Sequence, residues 1–434
     1  MACQQYSPFA NVPVRKSAGS DNTLMIRPVS RRQKSYEGAV LCAPVTVPYT
    51  RFSPESAHWW TGAALANLAQ STGLGPIDVD GFCFSSFTCG PDTVVGMTQH
   101  LGLSPRWIDH IPSGGASGVM AIRRAARAVQ SGDAEVVACV AADTNQIDSF
   151  RLGLNSFSRF SQDATYPYGF GGPNGTFALI TDNFMREFGI RREDFAKLCI
   201  AQRTNALSNP CALMKKPLTF EQYMNARVIS DPVHLFDCVM PCAGAEAFLV
   251  TTPDKAETLG LASASICATI ERHNAYPDDP VQTRGGWLMD IDELWAAAAL
   301  SPQDMHCAQV YDDYPVIVAM QLADLGFCSK AELPQFIAGN EFTIDGSVPL
   351  NTNGGQLSAG QAGAAGGFQN VTEGLRQILR APLGDQIPDA RRALISGFGL
   401  VNYDRGICSG AAVLEQQTTG AGSYEQQSEY QGRS

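Results

Sequence analysis

The densest group of proton-carrying side chains lies in VYDDYPV at 310–316, where Tyr311, Asp312, Asp313 and Tyr314 follow the apolar run CAQV. A carboxylate next to a phenol can pass a proton. Tyrosine, with an ordinary pKa of about 10, is a weak base unless a neighbour or a water activates it, and Asp313 can be that neighbour or the base itself. Tyr311, Asp313 and Tyr314 are therefore the candidates for proton transfer. Tyr314 has an equal claim to packing as an aromatic, and Asp312 to capping or pairing within the turn. TYPYGFGGPNG at 165–175 adds Tyr166, Tyr168 and Asn174 among turn formers, as a loop over a pocket would, and ERHNAYPDD at 271–279 adds His273 and Tyr276. A lone histidine in a loop is more often a surface group, so His273 and Tyr168 stand as secondary catalytic candidates.

A second kind of site is built from what is missing. PSGGASG at 112–118 places small residues just ahead of the helix-like VMAIRRAARAVQSG. The free N–H groups and positive end of such a helix can bind an oxygen that carries or develops negative charge, with the open space expected to hold substrate. Gly115 and Ser117 are thus substrate-binding candidates. In the second half PLNTNGGQLSAG offers Asn353 and Gly355 in the same way.

These groups must be held by elements that alternate along the chain. GAVLCAPVTV predicts a strand, WTGAALANLAQSTGL a helix, VDGFCFSSF a strand, VMAIRRAARAVQSG a helix and EVVACVAAD a nearly unbroken apolar strand. Fully apolar strands belong in sheets covered on both faces, so the class is α/β. LGPIDVDGFCF at 74–84 and LSPQDMHCAQV at 300–310 share Leu, Pro and Asp, and the glycine pairs Gly114-Gly115 and Gly354-Gly355 follow in the same order. Two similar halves with a boundary near 253–265 are the expectation.

Composition excludes several functions. The 434 residues exceed what one core serves, and 44% hydrophobic with 17% charged residues describes a soluble globular enzyme-sized chain. A net charge of −11 disfavours nucleic acid. The 13 cysteines are odd in number and sit inside apolar runs, a reduced, cytoplasmic pattern. Their spacing matches no zinc site, so no metal is expected, and no apolar run of ~18 residues predicts a membrane span. Cys89, without a paired base, reads as inert, and His234 and Cys238 as structural. Residues 1–36, basic and serine-containing, read as a flexible extension with a faint likeness to an organellar transit peptide, and 416–434 as a disordered tail.

The order GGASGVMAI, GDAEVVACVAAD, PVHLFDC, VYDDYPVIVAMQLADLGFC, PLNTNGGQLSAGQAGAAGG and ALISGFGLV resembles the thiolase superfamily across about 37–415. The most similar branch is that of sterol-carrier-protein-type thiolases and lipid-transfer-protein-like aldolases of steroid side-chain degradation. The resemblance implies a five-layer α-β-α-β-α fold from two pseudo-repeated halves, 37–258 and 259–415, each with a mixed five-stranded sheet, usually in a dimer. It also exposes departures. Gly115 stands where a thiolase has its nucleophilic cysteine, Gln361 where it has the histidine of G-H-P, Ile395 where it has the second cysteine, and Tyr311 where it has Asn or His. Glycine cannot attack a thioester and an amide is no base near neutral pH, so covalent acyl transfer is not expected.

The aldolase relatives have likewise lost the cysteine and cleave a β-hydroxyacyl-CoA between its α and β carbons with tyrosines as acid and base. They carry a tyrosine where this chain has Gln361, which leaves an amide to orient a thioester carbonyl. Three readings follow from the resemblance: a retro-aldol carbon–carbon lyase acting on a bulky, steroidal or aromatic acyl-CoA; a noncovalent acyltransferase or condensing enzyme; and a noncatalytic acyl-CoA-binding or scaffolding homologue. CoA is expected as part of the substrate, with no tightly bound cofactor. A homodimer and a small zinc-ribbon/OB-fold partner subunit are further implications of the likeness.

Overall fold

The computed structural model describes residues 35–147, 159–169, 172–402 and 404–417. Its strands are β1 (Val40–Thr50), β2 (Gly81–Ser85), β3 (Trp107–His110), β4 (Val136–Asp143), β5 (Val228–Ser230), β6 (Val233–His234), β7 (Ala243–Thr251), β8 (Ser263–His273), β9 (Cys307–Gln309), β10 (Arg392–Val401) and β11 (Gly406–Gln416). β5 and β6 form a small hairpin; the rest join one sheet in the order β3-β2-β4-β7-β1-β8-β11-β10-β9.

That order contains the repeat. The first-half strands run inward to β1, the second-half strands run outward from β8, and β1 pairs with β8 through Val40–Cys42 against Ser263–Ser265. β2 lies parallel to β4 as β9 lies parallel to β10. Among the described residues the second half has four strands rather than five; in place of the fifth, Leu350 makes a single parallel bridge to Ala308 of β9. The echo seen in the sequence has a local cause. Pro76–Asp78 and Pro302–Asp304 are equivalent 3-10 turns leading into β2 and β9, and each is closed by its aspartate accepting from the backbone N–H three residues back, Gly75 and Ser301, at 2.8 Å.

The layers follow from burial. Every residue of β4 and β7 is buried, as strands covered on both faces require. Between the half-sheets lie the two central helices, Ser117–Ser131 and Ala365–Leu379, the second with all of its residues buried. Helix Ala57–Thr72 covers the outer face of the first half, and helices Trp287–Ala298 and Pro315–Asp324 cover the second. Helix Pro253–Thr258 ends where the expected division at 258/259 falls, just before β8.

The expected N-terminal extension 1–36 lies outside the described residues up to 34, as does the tail beyond 417. Tyr36, assigned to that extension, is instead part of the body: it is buried, its hydroxyl meets Thr269 Oγ1 at 2.6 Å and Arg127 lies over its ring. No helix among the described residues is long and apolar enough to cross a membrane.

Candidate active site

A cavity of about 270 Å³ opens where the two halves meet. Gly115, Tyr311, Asp313, Tyr314 and Gln361 all line it, so five of the residues singled out in the sequence come together. The rest of the wall is mainly apolar, with Phe87, Val239, Phe398, Leu400 and Val401, and includes Asp143 and Asn174.

The space beside Gly115 is not a hole for substrate, as the small side chains suggest. The Tyr311 ring fills it: a Cβ on Gly115 would lie 2.0 Å from Tyr311 Cε2 and 2.3 Å from the Phe398 carbonyl oxygen. The neighbouring glycines have a packing reason as well. A Cβ on Gly118 would lie 2.1 Å from the Gly367 carbonyl, and one on Gly367 would lie 2.7 Å from the Gly115 carbonyl, so the central helices cross through backbone contact. A nucleophilic side chain at 115 is thus excluded by the phenol that occupies its volume.

Tyr311 is fixed through its backbone. Gln321, in the second turn of the following helix, accepts from the Tyr311 N–H at 3.2 Å and donates to its carbonyl at 2.6 Å, and Ser396 Oγ donates to the same glutamine at 2.5 Å. Burial, then the charge of Asp313, holds the Tyr311 phenol well above its ordinary pKa, while the Gln361 amide acts in the opposite direction. Burial likewise pushes the Asp313 carboxyl up to about 7, against a bond to Tyr311 that lowers it. Asp313 Oδ1 is buried and has no partner. The result is a phenol held protonated by burial near a carboxyl that burial raises to about 7.

Asp312 has the capping role expected of it, although for a different element. It accepts from Gln356 N at 2.9 Å, Leu357 N at 3.2 Å and Gln202 Nε2 at 3.1 Å, closing the short helix Gly355–Ser358. Gly355 is therefore glycine because Asp312 Oδ2 would lie 2.1 Å from a Cβ there, and it does not reach the cavity. Asn353 accepts from Gly355 N at 2.9 Å in the same cap. Ser117 is buried and donates to the Ile111 carbonyl at 3.2 Å.

The secondary candidates lie away from the cavity. Tyr168 is 86% exposed in the 3-10 turn Tyr166–Tyr168. His273, at the end of β8, contacts Glu271 Oε1 at 2.9 Å and Cys408 Sγ at 3.4 Å. Cys89 is buried, and burial raises its pKa. Cys238, read as structural, does reach the cavity wall, but burial pushes its thiol up to about 12.

Asp143 was not singled out, though it ends the apolar strand EVVACVAAD, an abrupt change that was visible. Oδ1 accepts from Ser86 Oγ, Phe87 N, Thr88 N and Thr88 Oγ1 at 2.6–2.8 Å, and Oδ2 from Ala364 N at 2.7 Å. One carboxyl thereby ties the turn after β2 to the entry of the second central helix, and Gly363 lacks a side chain because Oδ2 would stand 2.2 Å from its Cβ. Among the described residues no group of side chains could hold a metal ion.

Comparison with known proteins places the chain in a family. Residues 292–408 match the thiolase C-terminal domain-like family model. The steroid side-chain-cleaving aldolase of Thermomonospora curvata is 30% identical over 77% of this chain and 88% of its own length. The 17-hydroxy-3-oxo-4-pregnene-20-carboxyl-CoA lyase of Mycobacterium tuberculosis is 31% identical over 73% and 84%. Among solved structures, the Ltp2-ChsH2(DUF35) aldolase superposes with a TM-score of 0.74 at 26% identity, covering 87% of this chain and 98% of that one. Human mitochondrial 3-ketoacyl-CoA thiolase shares the fold, with a TM-score of 0.64 at 14% identity over 88% of this chain and 100% of its own. The chain belongs to the thiolase superfamily, in the thiolase-like aldolase family of the steroid side-chain-cleaving enzyme.

Proposed function

We propose that this protein is a carbon–carbon lyase that cleaves a β-hydroxyacyl-CoA by a retro-aldol route without an acyl-enzyme. The observation that carries the reading is the exchange at the helix entry, where the Tyr311 ring occupies the volume of a side chain at Gly115 and leads to Asp313. Asp313 takes the β-hydroxyl proton. The Cα–Cβ bond then breaks, the β-oxygen becomes an aldehyde or ketone, and the electron pair passes into a thioester enolate. Tyr311 donates its proton to the α-carbon and recovers one from Asp313, so the cycle consumes no net proton. Gln361, beside the Tyr311 oxygen, favours the phenolate that donation leaves, and the Gly115 N–H at the cavity wall serves the enolate oxygen, those of Ala116 and Ser117 being bonded to Ser113 and Gly114.

CoA enters as part of the substrate, and the two named relatives make a bulky steroidal acyl group the first to test. A homodimer working with a small zinc-ribbon/OB-fold subunit is the assembly this reading favours, supported by the ChsH2(DUF35) component in the name of the similar aldolase structure. The described cysteines are all free, which supports a reducing, cytoplasmic setting.

The test incubates the protein with steroidal β-hydroxyacyl-CoA esters and with 3-hydroxy-3-phenylpropanoyl-CoA. Equal amounts of carbonyl product and shortened CoA ester are expected, with unmodified protein by mass spectrometry. Free CoA with a lengthened product, or an acylated side chain, overturns the reading. Copurification of a small second subunit, set against full activity of the isolated homodimer, tests the assembly.

A further inference from the structure

Asn174 lies in the first turn of helix Gly172–Phe188, directly after Pro173, and both residues line the cavity. Its side-chain oxygen faces the Tyr314 hydroxyl and the Cys238 thiol. The Tyr314 hydroxyl donates to Oδ1 at 2.6 Å; the Cys238 thiol lies 3.7 Å from the same atom and 3.5 Å from the His234 carbonyl, the nearer acceptor for its one proton. Burial keeps both groups protonated, since it holds the Tyr314 phenol well above its ordinary pKa and the Cys238 thiol at about 12. Tyr314 is itself held in place: its ring stacks on Phe177 with centroids 4.3 Å apart, and its backbone opens helix Pro315–Asp324. With its oxygen taken by the Tyr314 hydroxyl, the amide has Nδ2 on its other side, and the hydrogen bonds found for Asn174 among the described residues are all to Oδ1.

The lyase chemistry needs a donor in this region. A β-hydroxyl that gives its proton to Asp313 develops negative charge on oxygen as the proton leaves, and that oxygen remains an acceptor after it becomes a carbonyl. Asp313 immediately precedes Tyr314, so the donor held by Tyr314 sits beside the turn that carries the base. The lyase reading assigns the thioester oxygen to the Gly115 N–H, which leaves the β-oxygen in need of its own donor.

The geometry points to Asn174 as a substrate-binding residue whose Nδ2 donates to the β-oxygen of the acyl group, with Tyr314 as the positioning residue that sets the amide's orientation. This assignment rests on the lyase reading. It also accounts for Tyr314 at the cavity, whose contribution becomes orientation of a neighbour rather than proton transfer.

The experiment reads binding alone. In the Asp313→Asn background, which does not turn over, calorimetry compares 3-hydroxy-3-phenylpropanoyl-CoA with 3-phenylpropanoyl-CoA, which lacks the hydroxyl. The parent should prefer the hydroxylated ester by about five- to tenfold, the worth of one hydrogen bond in a water-poor site. Asn174→Asp keeps an acceptor for Tyr314 but has no donor, and Asn174→Ala has neither. Both should abolish the preference while leaving affinity for the deoxy ester unchanged. Tyr314→Phe should reduce the preference. Survival of the preference in Asn174→Ala, parallel weakening of both esters, or no preference in the parent overturns the assignment; an unchanged preference in Tyr314→Phe overturns the positioning role. Because no cleavage is measured, failure of the lyase reading shows separately, as the absence of carbonyl product with the unmutated protein.

Discussion

The two halves bring equivalent turns to one cavity and use them in opposite ways. After β2, the turn Ser86–Thr88 directs its polar groups onto Asp143, whose two oxygens are fully taken by donors from both halves. After β9, the turn Tyr311–Tyr314 leaves Asp313 Oδ1 buried and without a partner. Burial raises both carboxyls, but donors crowd one and a single phenol meets the other. A saturated buried carboxyl holds a scaffold together; an unsaturated one is available for chemistry. The adjacent pair Asp312 and Asp313 repeats the lesson within two residues, since Asp312 is spent on a helix cap.

The contrast can be broken at several points. The largest effect is expected from Asp313→Asn, which should lower kcat by about a thousandfold while leaving the fold intact. In the unmutated protein kcat/KM should rise with pH through about 7 as Asp313 loses its proton, and this limb should vanish in the variant. Stability should move the other way. The folded carboxyl titrates near 7 against an ordinary 3.8, so its proton is bound more tightly in the folded state. The stabilisation is full below the ordinary value and lost as pH rises through about 7, and Asp313→Asn should flatten that slope in denaturant titrations.

On the saturated side, Asp143→Ala should cost about 2–4 kcal/mol of stability, because it strands the backbone N–H groups of Phe87, Thr88 and Ala364. Urea unfolding checks it, and a loss confined to kcat at unchanged stability would erase the distinction between the two carboxyls. Gly115→Ala forces the added carbon against the Tyr311 ring and should cost about 1–3 kcal/mol together with activity. A stable, active Gly115→Ala would show that the ring does not need that space. The smallest effects belong to His273→Ala and Tyr168→Phe, both outside the cavity, which should leave kcat within about twofold.

The alternation of elements, the repeat and the proton-transfer turn were legible because each is local. The Pro–Asp turns before β2 and β9 repeat because the same 3-10 closure recurs, and VYDDYPV concentrates its side chains in one short stretch. Other readings went astray where a partner came from far along the chain. The glycine pair at 354–355 was matched with 114–115, yet it enters a short capped helix, while the counterpart of helix Ser117–Ser131 is Ala365–Leu379. In TYPYGFGGPNG the tyrosines carry the obvious chemistry, yet it is Asn174 that reaches the cavity while Tyr168 points to solvent.

Residue types and their order determined that no cysteine stands at 115, that a phenol and carboxyls follow β9, and that two α/β halves share a pattern. Only the tertiary structure decided what fills the place beside Gly115, because Tyr311 reaches it from the other half of the chain. It likewise decided which aspartates are spent on neighbours and which is left. The physical reason is the same in each case: spacing along a chain fixes side-chain type and local turn, whereas volume and hydrogen-bond saturation depend on atoms that sequence distance does not reveal.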